Sequence, residues 1–283
     1  MSKGKVILID WGMILHRTVF SWKKTKTVDL EYIALNQLFS LIRKVGLDRK
    51  DIVIVAADSE KGSWRRDVIW EYKANRKEKR NSHKDLNWKS LFNSFDMLLD
   101  TIELGTPFHV IKINKLEADD IIAYATKYYA NKECVIVSTD KDFELLWARP
   151  NVKLFSPLVK HKGRKGGYKI KPSEKYPERL LEKKIKREAS DNLISKIETK
   201  EDYELRKMVV DLINLPNFVE IKVKKELDKI KNNKQYNYEL IIYSKLRRFF
   251  LSLFYKDYGR VRYEDCLKEK KGGKQNGKSS SKS

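Results

Sequence analysis

The sequence predicts an α/β fold with a mainly parallel central sheet, helices on both faces, a long insertion and a helical C-terminal region. Three observations carry that expectation. Short apolar runs, VILI, IVIVAA, FHVIKI and CVIVS, alternate with segments of helical periodicity, the order of elements that builds parallel sheets. The runs read as strands buried in a core. Acidic residues stand at or just past their ends, and open α/β sheets bind ligands beyond the carboxyl ends of their strands.

Residues 5–10 form the first expected strand, closed by Asp10. Residues 29–46 carry Leu30, Ile33, Leu38, Leu41, Ile42 and Val45 at helical spacing and stop at Gly46. A second strand, 51–57, runs into Asp58, and an insertion follows over 59–103. The first half of the insertion is charged, aromatic and weakly periodic. Its second half, LNWKSLFNSFDMLLDTI, is an amphipathic helix. A third strand spans 108–113. The segment EADDIIAYATKYYAN is a helix opening on Glu117, Asp119 and Asp120, and CVIVS is a fourth strand followed by Asp140 and Asp142. Val152–Phe155 is a short fifth strand. Past Pro157 the pattern changes: HKGRKGGYKIK is a basic hairpin or loop, and residues 173 to about 257 are rich in Lys and Glu and mostly helical. The expected division is an α/β domain over 1–187, a helical subdomain over 188–265, and a lysine-rich disordered tail over 266–283.

The chain has 283 residues and a formal net charge of +22, from 61 Lys+Arg against 39 Asp+Glu. Such an excess points to a polyanionic partner, nucleic acid first. The charge is in blocks: residues 160–190 hold twelve Lys/Arg against four Glu, and residues 59–90 hold ten against five acids. A lysine-rich composition from an AT-rich genome would not arrange those blocks. No apolar stretch approaches the ~18 residues of a membrane span. The four-residue run VILI before Asp10 predicts no signal peptide. The two cysteines, Cys134 and Cys266, form no framework, so a soluble chain of a reducing cytoplasm is expected.

Nine acids are candidates for one site: Asp10, Asp58, Glu117, Asp119, Asp120, Asp140, Asp142, Glu188 and Asp191. Carboxylates gathered at one sheet edge cannot all stay ionised without a cation. The four histidines show no ligand spacing, so an all-oxygen set points to Mg²⁺ or Mn²⁺ rather than zinc. Two such ions would clamp a phosphodiester. Ordinary explanations stand beside this one. Asp119 and Asp120 fall in a helical first turn, where acids are favoured by the macrodipole, and Thr139 or Asp140 could cap the short helix DFELLW. Asp10 ends a strand with nothing nearby that needs a cap.

The segments LIDWGMILHR, DSEKGSWRR with EYKANR, EADDIIA and VSTDKDF resemble the metal-dependent 5′-nuclease superfamily of flap endonucleases and 5′–3′ exonucleases. They are most similar to its T-even phage ribonuclease H branch, which shares GxWRR and the segment PNVKxxSP, Pro150–Pro157 here. The resemblance is dense over 5–158 and thin afterwards. It implies a PIN-like nuclease fold with an arch insertion over 59–103, whose residues 59–90 would be the helical arch admitting a single-stranded 5′ end. It implies a first Mg²⁺ site (Mn²⁺ in its place) on Asp10, Asp58, Glu117, Asp119, Asp120 and Asp140, and a second ion on Asp142, Glu188 and Asp191. Lys73 and Arg76 match the basic pair at the scissile phosphate, Tyr72 an aromatic on which a terminal base stacks, and Arg17 an arginine after the first aspartate. Arg65 and Arg66 would add nucleic-acid contacts, or form a solvated basic face.

The implied activity is hydrolysis at the 5′ ends of flaps, nicks or RNA–DNA hybrids, as in primer removal. The implied protein is a monomer in a host bacterial cytoplasm, partnered by DNA and by a single-strand-binding protein or clamp. Two departures stand out. Arg187-Glu188-Ala189-Ser190-Asp191-Asn192 replaces the family's Gly-Asp-x-x-Asp-Asn, and no glycine lies between Gly167 and Gly259 where a helix-hairpin-helix element would offer amides to duplex phosphates. A structure-specific DNA-binding protein with weak or lost catalysis and a single-strand ribonuclease of PIN type therefore stay open.

Overall fold

The structure, a computed structural model, describes residues 4–25, 28–48, 50–74, 86–161, 163–186, 197–230, 234–241 and 246. Strand β1 (Val6–Asp10) is central and pairs in parallel with β2 (Ile52–Ala57) on one side and β4 (Cys134–Val137) on the other. β3 (His109–Lys112) adds in parallel to β2, and β5 (Val152–His161) to β4. β6 (Arg164–Tyr168) closes the edge antiparallel to β5, so the order is β3-β2-β1-β4-β5-β6. The chain winds outward in one direction through β2 and β3, then returns past β1 to β4. That reversal opens a crevice at the carboxyl ends of β1 and β4.

The inner strands are buried on both faces, and their two-residue period splits them between two cores. Ile7, Ile9, Val53, Val55, Val135 and Val137 face a core shared with α1 (Trp11–Thr25), α2 (Leu30–Val45) and α4 (Trp88–Gly105). Val6, Leu8, Ile52, Ile54, Cys134 and Ile136 face α5 (Ala118–Tyr128), the 3₁₀ helix Asp142–Ala148 and α8 (Asn217–Leu227). The single turn α3 (Arg65–Val68), α6 (Tyr176–Lys186) and α7 (Lys200–Val210) complete the helices used below.

The α/β class, the parallel strands and the helix ending at Gly46 follow the sequence reading; Gly46 takes φ +78, a left-handed helix end suited to glycine. Three features differ. Helix α1 starts at Trp11, with no loop after β1. β5 is ten residues long and continues through Pro157, because it folds back to pair with β6 across a register shift between Ser156 and Lys160. A bulge is where a strand tolerates a residue without an amide hydrogen. The second half of the insertion is a core helix rather than arch: Phe95, Leu98, Leu99 and Ile102 of α4 are buried in the first core. Residues 75–85, with most of the expected arch, lie outside the described residues, as do the boundary at 187/188 and the tail.

Candidate active site

Asp10, Asp58, Asp140 and Asp142 lie at or just past the carboxyl ends of β1, β2 and β4, and Asp119 stands in the first turn of α5 beside them. Asp10 is held from two sides: its Oδ1 accepts the Met13 amide at 3.1 Å and its Oδ2 accepts the Ser138 hydroxyl at 2.6 Å. Because α1 starts directly after β1, Asp10 caps it, although nothing near it in the sequence called for a cap. Asp58 is exposed, and its Oδ1 accepts the Ala118 amide, the first of α5, at 2.9 Å. Asp140 Oδ1 accepts the Asp142 amide at 2.8 Å, and the Asp140 amide donates to Ser138 Oγ at 3.0 Å. Ser138 thus joins Asp10 to Asp140. Its position after a buried strand was the available signal, but an uncharged residue there drew no notice.

The electrostatics follow from this crowding. Burial pushes the Asp10 carboxyl up, and the charges of Asp58 and Asp140 push it further, to about 6, against the hydrogen bonds from Ser138 and Met13. Burial likewise raises Asp119 well above the usual range, with Asp140, Glu117 and Asp10 adding to it and Lys73 opposing. Asp140 is raised by burial and by Asp142, with Lys184 and Lys73 opposing. Among the described residues, Asp10, Asp58, Asp119 and Asp140 have no ion-pair partner. Four carboxylates without a partnering cation suit a hard divalent ion in charge and in donor type. Among the described residues no three Asp, Glu, His or Cys side chains converge closely enough to hold one as they stand.

Glu117 and Asp120 behave differently. Arg65, only 2% exposed, donates from Nη1 to Glu117 Oε2 and Asp120 Oδ2 at 3.0 Å each, and its Nη2 lies 2.7 Å from Asp120 Oδ1. Its Nε donates to the Val209 carbonyl of α7 at 2.8 Å. Asp120 also accepts from Trp64 Nε1 at 3.1 Å and from the Glu117 amide at 3.0 Å. Glu117 Oε2 accepts from Ser63 Oγ at 3.1 Å and from the Tyr72 hydroxyl at 3.0 Å, and Oε1 pairs with the Lys73 ammonium. Burial works against this charge, yet Lys73 and Arg65 hold the Glu117 carboxyl down at about 2. These two acids anchor the first turn of α5 beneath Asp119, each paired with Arg65 and, for Glu117, with Lys73.

The same network encloses two of the residues expected to contact nucleic acid. Arg65 lies under the surface, and Tyr72 is 4% exposed with its hydroxyl on Glu117, so neither offers a face to a ligand. The guanidinium of Arg65 also stacks on Trp64, 4.7 Å from its ring centroid. Arg66 is exposed, its Nε donating to the Tyr72 carbonyl at 3.2 Å. Lys73 is 8% exposed and takes φ +58, a left-handed backbone that costs a non-glycine residue about 1 kcal/mol. Arg17 is half-buried, and burial lowers the pKa of its guanidinium. Asp142 pairs with Lys184 of α6. Glu144, missed in the sequence, accepts from Lys169 at 2.8 Å and from the Tyr176 hydroxyl at 2.6 Å. Arg76, Glu188 and Asp191 lie outside the described residues.

The model of the family described as 5′–3′ exonuclease, N-terminal resolvase-like domain, matches residues 5–183. Ribonuclease H of Enterobacteria phage T4 is 31% identical over 165 residues, which are 56% of this chain and 54% of that protein. A 5′–3′ exonuclease of Mycoplasmopsis pulmonis (strain UAB CTIP) is 30% identical over 141 residues, 49% of this chain and 43% of that one. The matched part spans about half the length of these curated relatives. Among solved structures, the T5 D15 protein co-crystallised with metal ions aligns at TM-score 0.50 and 17% identity, covering 88% of this chain and 98% of that one. A bacteriophage T5 D15 flap endonuclease complex with DNA and metal ions aligns at TM-score 0.50 and 21% identity over 88% of this chain and 97% of that one. These structural likenesses speak to the fold.

Proposed function

The chain belongs to the 5′–3′ exonuclease family, and from that premise we propose that it is a nuclease that hydrolyses phosphodiesters at the 5′ ends of nucleic acids with a divalent metal ion. The observation that carries the reading is the group Asp10, Asp58, Asp119 and Asp140 at the sheet's switch point, with three of the four carboxyls pushed up by burial and by neighbouring acids. Asp10, Asp119 and Asp140 would hold Mg²⁺, or Mn²⁺ in its place, with Asp58 taking part through water. When bound, such an ion supplies Lewis-acid stabilisation of a phosphoryl oxygen and an acidified water.

The chain's own residues do the rest. Ser138 fixes the spacing of Asp10 and Asp140 by bonding to both. Arg65, Glu117 and Asp120 lock the first turn of α5 and so set where Asp119 stands. Lys73, whose charge acts on Asp119 and Asp140, would stabilise the developing charge on phosphate. Arg66, and Arg76 by family resemblance, would hold the backbone of the substrate. The substrates proposed are 5′ flaps, nicked duplex and RNA–DNA hybrids, as in primer removal. The net charge of +22 supports a polyanionic substrate.

The test uses 5′-labelled flap, nicked duplex and RNA–DNA hybrid with Mg²⁺ or Mn²⁺. The expected result is metal-dependent release of 5′ products, abolished in Asp140→Asn while binding is retained. No cleavage of any of the three substrates with either ion would refute the proposal.

A further inference from the structure

One tryptophan stands apart from the others. Of the six in the chain, Trp11, Trp64 and Trp147 are buried, and Trp22 and Trp88 pack against the first core. Trp70 is 79% exposed. Among the described residues its ring meets no aromatic or cationic partner and its indole N–H no acceptor. A single exposed apolar side chain is ordinary on a protein surface. The way this one is held is not.

The turn that carries Trp70 is fastened on both sides. Tyr72 and Val209 form a small cluster against which Val68, Ile69 and Val210 pack. The Ile69 amide donates to the Arg65 carbonyl at 2.8 Å, and the Tyr72 amide to the Ile69 carbonyl at 3.0 Å. The Tyr72 hydroxyl is on Glu117 at 3.0 Å, and Arg66 Nε holds the Tyr72 carbonyl at 3.2 Å. A fixed turn therefore presents the indole. Its setting is cationic: Arg66 is exposed, Lys73 follows three residues on, and Asp67 is already paired with Lys115. Residues 59–90 as a whole hold ten Lys/Arg against five acids.

We propose that Trp70 is a stacking platform for an unpaired nucleobase of the bound strand. This rests on the nucleic-acid reading above and names a contact within it. An indole offers a large flat π face, every base offers one too, and stacking between them tolerates any sequence. The surrounding cations take the phosphates and the ring takes the base, the division of labour of single-strand sites. A base inside a duplex has its faces covered by its neighbours, so the ring favours single strand over duplex. Arg66 and Asp67 beside it, both exposed and charged, suit one flat base better than the apolar centre of a protein interface.

The test reads binding rather than turnover. The full chain is titrated, without divalent ion and again with Ca²⁺, against a duplex bearing a 5′ single-stranded extension and against the same duplex made blunt. In Trp70→Ala, affinity for the extended duplex should fall about 5- to 100-fold, the range of one base–aromatic stack, with affinity for the blunt duplex unchanged. Trp70→Phe should recover most of the loss. The salt dependence of binding should be the same in both variants, because no phosphate contact is removed. A 2-aminopurine stepped through the extension should be quenched at one position by the wild type and by Trp70→Phe, and less by Trp70→Ala. A loss below about fivefold in Trp70→Ala, equal weakening on both duplexes, or undiminished quenching at every position would overturn the inference and leave the nuclease reading standing. A wild type that binds neither duplex in either condition would overturn the nucleic-acid reading and the inference together.

Discussion

Arg65 offers the sharpest separation between a buried structural role and a nucleic-acid contact. Replacing it with Met removes the guanidinium from between Glu117 and Asp120, both of which stay buried. Breaking a buried ion pair by deleting one partner costs about 3–5 kcal/mol. The Val209 carbonyl also loses its donor at 2.8 Å, worth about 1 kcal/mol more. Glu117 keeps Lys73, Ser63 and Tyr72, so most of the loss falls on Asp120, left with Trp64 and one amide. Against a total stability of about 5–15 kcal/mol the change is large. At about 2–4 °C per kcal/mol, a loss of about 4–6 kcal/mol should lower Tm by roughly 8–24 °C. Asp120→Asn placed in the Arg65→Met background should recover part of that, because the stranded charge is then gone. Urea melts of the two single variants and the double variant measure it. A cost below about 1 kcal/mol for Arg65→Met, together with a salt dependence of DNA binding weakened by about one phosphate contact, would refute the buried-network account and restore the role that the sequence suggested.

Three further outcomes are expected. Glu117 titrates at about 2 when folded against an ordinary 4.5, so its contribution is present above pH 4.5 and is lost as pH falls from there toward 2. That contribution is roughly 3 kcal/mol, and Glu117→Gln should flatten the acid limb of a stability–pH curve; an unchanged limb would contradict the pairing. Asp10 has the opposite sign: raised from 3.8 to about 6, it lowers metal-free stability as pH rises through that interval. Asp10→Asn should therefore raise the metal-free Tm above pH 6, by roughly 1–3 kcal/mol in free energy, while cleavage is lost; an unchanged or lower Tm would show that the carboxylate is not strained by its neighbours. Cys134 is buried and its thiol is pushed up to about 12, chiefly by burial. In a Cys266→Ser background, a thiol reagent at pH 8 should modify it only at the rate of unfolding, and rapid native labelling would contradict the packing.

Much of the fold was legible because it rests on local pattern. The buried runs at Val6–Ile9 and Ile52–Ala57 read as strands from composition alone, and they pair as β1 and β2. The acids that follow them marked the sheet edge where the site lies. Helix α1 was not legible, since its apolar positions are interleaved with His16, Arg17, Ser21 and Lys23 and nothing separates it from β1. The extension of β5 was hidden by Pro157, a residue that ordinarily ends a strand. The enclosure of Arg65 and Tyr72 was hidden for a different reason. Basic and aromatic residues in a charged, aperiodic segment look exposed, and only the arrival of Glu117 and Val209 shows that they are enclosed.

By itself the sequence determined the α/β class, the strand ends that carry the acids and the family to which they belong. Strand period, burial and motif order are properties of neighbouring residues, and they survive without knowledge of distant contacts. Tertiary structure decided which acids are available. Arg65 and Glu117 are 52 positions apart, Lys184 and Asp142 are 42 apart, and Ser138 and Asp10 are 128 apart. A carboxylate's role depends on the cation or hydroxyl that folding brings to it. Asp119 and Asp120, adjacent in the chain, consequently part ways, one with its carboxyl raised by burial and by the acids around it, the other sealed under Arg65.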